Sequence, residues 1–591
     1  MTTRTLFALA LLICATSAHG QNNDFRQLAT FFGRVDFFTT GASMTDNTGL
    51  FNGVHCLEPS ASVTVPSFGD TERPSLVAAY LLWGGSLIGN DGAGEFDTSA
   101  ITNQEEYQAS LLGGGPINVI QEARSAADIE VELTLPGQST AHMIRADPAG
   151  LYVHTYYKPM GPEQGVIAFY LARSDITEIV ADAGSQLSGT WTVEGVRAEV
   201  CNGLEAICGT GQTCSSMSEL HSNGTASFAL ILVLEEPSWG LRRVTLFEGL
   251  HGLANSVLDI SLTEGVLISD PPAGRLSFYA MEGDDHIFSV EEEFVRVDGG
   301  AGMFTLTDAA NPIGNPFNGT INTTRLDPPD PDCPGGGICG AAGVDIDVFD
   351  IQPALAAGAD SLHVQVGSGV DRVALANINL SVSVFGPVLD VDSRLFLLDG
   401  ATEQPALAPL RYVAALSNTG NLPSTANTLR IHVPLGVSSF SIESLPAEAR
   451  NESVASGGRH GRGIIDIRDI EVDVGQITDV RFSLMPDCGL RGGELQIEAE
   501  VVYEVDGFVM AAPPVLILDD PAGGCPPLGG PGEGIFWREL GLLLEGGGGC
   551  DAARSSNRGR PGGWMRVLGL LAMAGLGLRM WRAWRARRRW R

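Results

Sequence analysis

Three observations predict an all-β fold. Glycine is abundant at 74 residues and proline numbers 32, so turn-forming residues recur along the whole chain. Apolar runs are short, and many alternate with polar residues, as in Leu429, Ile431, Val433 and in Val480, Phe482, Leu484. A period of two is the mark of a strand with one face in a core, and sustained periods of about 3.6 are hard to find. Many short strands separated by Gly, Pro and Asn turns build sandwiches or barrels rather than an α/β fold.

Taken in order, Arg4 precedes the apolar run Leu6–Ala15, and Ala18-His19-Gly20 is a small-residue cleavage pattern. Residues 1–20 therefore read as a secretory signal peptide, with signal peptidase as the implied partner and Gln21 as the first mature residue. Residues 21–390 are expected to form a β-sandwich head of one or two domains, with a break near residue 300. Its strand patterns are Ser75–Trp83, Gly165–Leu171, Ser227–Leu234, Arg242–Phe247 and Leu362–Val366. Within Val373–Val384 the apolar phase changes, from Val373 and Leu375 to Ile378, Leu380, Val382 and Val384, which predicts a bulge.

Residues 391–512 carry a second sandwich. Tyr412–Leu416 runs into the tight turn Ser417–Asn421, followed by strands at Thr428–Val433, Ile464–Val474, Val480–Leu484 and Leu495–Tyr503, with Gly475 as a turn. Strand, turn, strand over about 100 residues suits a seven-strand sandwich. Residues 513–549 turn to Pro and Gly and read as a spacer.

The tail, residues 550–591, has its own pattern. Cys550 follows the glycines Gly546–Gly549, the apolar run Val567–Leu578 comes next, and seven arginines from Arg579 to Arg591 close the chain. The run is 12 residues, whereas a spanning helix needs about 20. Extension to Trp564–Trp584 takes in Arg566, Arg579 and Arg582, which can snorkel from helix ends beside interfacial tryptophans. The tail is thus either a short transmembrane helix or a basic amphipathic segment lying on the membrane. Terminal arginines stay on the cytoplasmic face, which puts everything before the run outside the cytoplasm.

Charge narrows the partners. The net charge is −34, and residues 21–550 hold 69 of the 70 acids but only 24 of the 36 basic residues. Such a surface repels phosphate backbones, so nucleic acid is excluded as a partner. Of ten cysteines, Cys14 falls in the leader and Cys550 in the tail. The remaining eight, Cys56, Cys201, Cys208, Cys214, Cys333, Cys339, Cys488 and Cys525, are an even number in an exported chain and are candidates for four disulfides. Cys333 with Cys339 and Cys488 with Cys525 are local pairings; the others stay open.

No catalytic motif is found: neither His-Glu-x-x-His nor Gly-x-Ser-x-Gly occurs. The histidines are scattered, with His363 and His432 in strand patterns that face solvent or a sheet edge. A triad assembled from distant loops stays open. Cofactors are expected to be none, with calcium as the best small-ligand candidate. Asp327, Asp330 and Asp332 place three carboxylates on a stiff proline loop, although a solvated acidic turn is the favoured reading of them.

The order cysteine, apolar helix, arginine cluster resembles the MYXO-CTERM sorting signal of myxobacterial surface proteins, over roughly residues 546–591. That resemblance implies cleavage near Cys550 by an intramembrane sorting protease and lipid modification of the cysteine. Leu416-Ser417-Asn418-Thr419-Gly420-Asn421 and Val433-Pro434 resemble the V-x-N-T-G-N hallmark of an Ig-like conserved repeat of bacterial surface proteins, with Leu416 in place of the valine. In that family the module is a spacer or stalk, and it implies no catalytic residue. The head resembles the globular region preceding such repeats, through Ala78–Gly85, Leu230–Ser238, Arg243–Leu250 and Gly343–Asp350. Together these readings predict an exported, cell-surface protein anchored to membrane or lipid, non-catalytic, with an adhesion or envelope-structural role and a surface ligand that the sequence does not name. The alternative is a displayed hydrolase or carbohydrate-binding head.

Overall fold

The computed structural model describes residues 25–519, apart from 48–54, 69–73, 91–95, 113–114, 116, 159–164, 183–186, 199–224, 264–265, 282–292, 324–337, 340, 342, 370, 397–408, 487–494, 506–507 and 512–514. Among the described residues the chain is all-β, built from antiparallel sheets with three short α-helices and a one-turn 3-10 helix at Gln352–Ala354. No helix among them is long and apolar enough to cross a membrane. The expected leader, the end of the expected spacer and the expected anchoring tail lie outside the described residues.

The head stacks four sheets. The first layer orders Ser60–Val65, Gly189–Glu194, Glu130–Thr134 and His142–Arg145. The second orders Leu151–Lys158, Gly165–Asp175, Ser75–Asn90, Ala226–Glu235 and Val35–Ser43. The third orders Arg26–Gly33, Arg242–Leu253, Val373–Ser383, Gly274–Met281 and Val344–Asp350. The fourth orders Ser256–Leu262, Leu362–Ser368, Phe294–Asp298 and Phe304–Thr305.

Side-chain alternation explains the stacking. In Ala226–Glu235, Phe228, Leu230, Leu232 and Leu234 face the core shared with the first layer. Ala229, Ile231 and Val233 face the core shared with the third. Ser75–Asn90 divides in the same way, Leu81 and Trp83 to one side, Tyr80 and Leu82 to the other. The third layer sends Val244, Leu246, Tyr279 and Ile346 inward and Leu276, Phe278, Ile378 and Leu380 toward the fourth. Strands apolar on both faces need a neighbour on each side, and each such Leu, Ile or Phe contributes about 1.5–3 kcal/mol when buried. The helices Gln104–Leu111, Val119–Ala126 and Thr177–Asp182 add Tyr107, Val119, Ala123 and Val180 to the outermost core.

All five head patterns named from the sequence fall on strands. The predicted phase change is a bulge at Ala376: Asn377 pairs with Glu248 and Tyr279, while Leu375 pairs with His251 and Ala280. Leu375 and Ile378 thereby reach the same core although they are three residues apart.

Residues from Leu389 onward form a two-sheet sandwich with a core of its own, centred on Tyr412, Leu416, Leu429, Ile431, Ile467, Val480 and Phe482. One sheet orders Leu389–Phe396, Leu410–Asn418, Ile477–Pro486 and Val437–Ser444; the other is built on Ile464–Val472, Ser424–His432 and Leu495–Val505. Gly475, expected as a turn, has φ of +69°. The stretch Asn418–Asn421 does more than turn. Asn418 Oδ1 accepts from Val388 N at 3.2 Å, and Asn421 Oδ1 accepts from Gly386 N at 2.7 Å. Thr419 N donates to Val388 O at 2.8 Å, and Arg34 reaches Thr419 O at 3.1 Å. Those bonds tie the sandwich to the chain leaving the head.

Candidate functional site

Val344–Asp350 is the edge strand of the third layer, and its alternation is unusual in what it buries. Val344 and Ile346 enter the core between the second and third layers. Asp345 and Asp347 point the other way and are 0% exposed. They are covered by the loop 308–323, whose conformation is fixed by its own side chains. Asp308 Oδ1 accepts from Ala310 N and Asn311 N, both at 2.8 Å, and Asn322 Oδ1 accepts from Val348 N at 2.8 Å.

The loop then supplies bonds to both aspartates. Thr320 N donates to Asp345 Oδ1 at 3.0 Å, and Asn322 N to Asp347 Oδ1 at 3.1 Å. Burial, then Asp345 nearby, holds the Asp347 carboxyl well above the usual carboxylate range. Glu293, 1% exposed, sits beside this pair; burial and the neighbouring Asp371 and Asp345 push it up to about 9. The outer side of the same loop opens on a cleft of about 420 Å³ lined by Phe38, Thr39, Arg275, Asp308, Asn322 and Thr323 among others. Arg275 is held there by Asp36 at 2.8 Å and by Phe37 O at 2.7 Å. A cleft with a cation, a carboxylate, an amide and aromatic edges can hold a polar ligand of a few heavy-atom rings.

Two further constellations are structural in character. Glu248, 0% exposed, accepts from Arg173 Nε at 2.6 Å, Arg26 at 2.8 Å and Tyr152 OH at 2.7 Å, and Arg173 also pairs with Asp147. This network bolts the second layer to the third and leaves Glu248 with every oxygen used. On the outer face of the fourth layer, Ser261 Oγ lies 2.9 Å from His363 Nε2, and His363 Nδ1 lies 3.7 Å from Asp259 Oδ1. The order resembles a nucleophile triad, and the sequence left such an assembly from distant segments open. The three residues stand exposed on a regular ladder, where Ser261 pairs with His363 and Asp259 with Gln365. Opposed side chains on an exposed sheet face make contacts of this kind, and the geometry is that of cross-strand polar pairs. His363 faces solvent, as its strand pattern predicts.

Most residues singled out from the sequence lie outside the described residues: Asp327, Asp330, Asp332, Cys201, Cys208, Cys214, Cys333, Cys488, Cys525 and Cys550. The backbone of Cys56 stands opposite Asp46, and that of Cys339 opposite Thr320. Among the described residues, no three His, Cys, Asp or Glu side chains are grouped to hold a metal. Glu293, Asn311, Asn318, Thr320, Asp345 and Asp347 were not singled out. Their signal is the alternation Val344-Asp345-Ile346-Asp347, which taken alone reads as a strand with its acids in water.

No family model matches the chain, and no curated protein matches it. Three solved structures are remote likenesses. One described as a beta-galactosidase from Bacteroides fragilis is 12% identical over 46% of this chain and 32% of its own, with a TM-score of 0.13. A membrane-anchored protein from Corynebacterium diphtheriae is 9% identical over 84% of this chain and 97% of its own, with a TM-score of 0.15. The Endo-D glycoside hydrolase domain from Streptococcus pneumoniae R6 is 9% identical over 48% and 34%, with a TM-score of 0.11. The chain spans about a third of the length of the two glycosidase structures.

Proposed function

We propose that the protein is exported and anchored at the cell surface, where it serves adhesion or envelope structure through its stacked β head. The observation that carries this reading is the pairing, in one sequence, of an apolar leader at residues 1–20 with Cys550, an apolar run and an arginine cluster at the other end. The strongly acidic body between them suits a solvated, exposed surface. A head of four interlocked sheets is a rigid platform, and the cleft at Arg275 and Asp308 offers it a ligand face. The sandwich after Leu389, with its resemblance to an Ig-like stalk module, would lift that platform from the envelope.

Cys550→Ala tests the anchoring step directly. In cells expressing the variant, the uncut chain is expected in the membrane fraction and absent from the protease-accessible surface. Surface display at the wild-type level would remove Cys550 from the mechanism.

A further inference from the structure

We propose that the loop 308–322 and the strand Val344–Asp350 enclose a site for one hard divalent cation of the calcium class, with Asp347, Asn311, Asn318 and Thr320 as oxygen ligands and Asp345 and Glu293 as its surrounding charge. The site shares no residue with the acidic stretch 327–332 and does not depend on the anchoring reading.

Thr320 has fewer protons than the oxygens around it ask for. Thr320 Oγ1 lies 2.9 Å from Asn311 Oδ1, 2.7 Å from Asn318 Oδ1 and 3.5 Å from Asp347 Oδ2. A hydroxyl has one proton and can satisfy one of these three acceptors. Turning the amides would not help. Asn318 Nδ2 donates to Ala310 O at 2.7 Å and Asn311 Nδ2 to Asp308 Oδ1 at 3.2 Å, so each amide oxygen is directed toward Thr320 by its own nitrogen's bond. With Asp347 ionised, and with the Asn311 side chain bonding it as well, oxygens converge here in excess of the hydrogens available to them; a proton on Asp347 is the other way to close the count. Oxygen convergence of that kind is what a hard cation requires, since calcium takes six to eight oxygen ligands and accepts carboxylate, amide and hydroxyl donors together.

Glu293 points the same way independently of those bonds. Glu293 stands beside the same strand, 1% exposed, and neither of its carboxylate oxygens completes a hydrogen bond among the described residues. What Phe317 N–H lends it is outweighed by burial and by Asp371 and Asp345. Buried carboxylates are ordinarily paired with a cation, and isolated ones cost several kcal/mol each. A divalent ion between Asp347 and its neighbours would supply the missing charge, and bound protons are the competing occupants.

The test uses the full-length protein, stripped with EDTA and then titrated with calcium chloride by calorimetry and by thermal unfolding. Expected at neutral pH are one saturable uptake and a rise in Tm, both fading in acid as protons take the same oxygens. Asp347→Asn keeps the shape and should weaken that uptake by at least about tenfold without lowering the Tm of the stripped protein. Thr320→Val, which changes no charge, should weaken it too and covers the case in which the first variant does not fold. Three results overturn the proposal. One is no saturable uptake by the stripped wild type. Another is undiminished uptake by both variants, which puts the ion elsewhere on the acidic chain. The last is a Tm that rises with acid and never with calcium, which makes protons the sole occupants.

Discussion

His154 illustrates how a single side chain can carry a pH dependence through its surroundings. It lies on Leu151–Lys158, and a Cβ at Gly252 on the adjoining layer would collide with its ring, so only glycine lets the imidazole pack that closely. Burial first, then His251 and Arg372, push its pKa down to about 4. Folding therefore keeps the ring neutral where the unfolded chain would protonate it. Above about pH 6.5 neither state binds the proton and nothing is lost. As pH falls from about 6.5 to about 4 the unfolded state gains, by up to about 3 kcal/mol. His154→Gln should thus lose less Tm than the wild type between those values and differ from it by a constant amount above them. Parallel Tm–pH curves for the two proteins would rule the histidine out. None of this was legible in the sequence, where His154 is one of several scattered histidines and its partners are about 100 and 220 residues away.

At the scale of elements, period and phase carried most of the information that the chain offers. The bulge at Ala376 was legible because two apolar residues three apart cannot share a face without one. The four-layer stack was not, because a short apolar run reads alike whether its second face meets a sheet, a helix or a ligand. The glycines of the second layer hold the missing information. Gly84 lies within Ser75–Asn90, and a Cβ there would collide with Tyr170 O on Gly165–Asp175 and press on Met281 Sδ of the third layer at 3.3 Å. Backbone cannot yield as a flexible side chain does. Gly84→Ala is expected to cost about 1–3 kcal/mol in urea unfolding. A cost below about 0.5 kcal/mol would mean that the layers are less tightly apposed than this geometry requires. The acidic pair Asp345 and Asp347 was misleading for a related reason: alternation reports which residues share a face, and only the loop 308–323 decides that this face is covered.

For the whole molecule, the decisive joint is between the head and the sandwich that follows it. The sequence marks Ser417–Asn421 as a tight turn, but Ser417 and Asn418 end the strand Leu410–Asn418, residues 419–423 cross to the other sheet, and nothing in the sequence shows that this crossing docks on residues 384–388. Asn418 and Asn421 spend their side chains on that contact, and Asn418 Nδ2 also holds Leu422 O and Val472 O at 2.7 and 3.1 Å within the sandwich. One asparagine thus couples the joint to the module's own ladder. Gly420 lies at the closest approach, where a Cβ would collide with Gly386 O and with the Pro387–Val388 peptide. Cores that share a hydrogen-bonded joint should unfold together, whereas a loosened joint leaves two cores free to melt separately. Gly420→Ala is expected to convert a single calorimetric transition into two, the earlier one belonging to the smaller core around Tyr412 and Phe482. The substitution touches neither core, so a shift of one undivided peak would indicate general destabilisation instead. An unchanged thermogram would show that the asparagine bonds do not couple the two bodies.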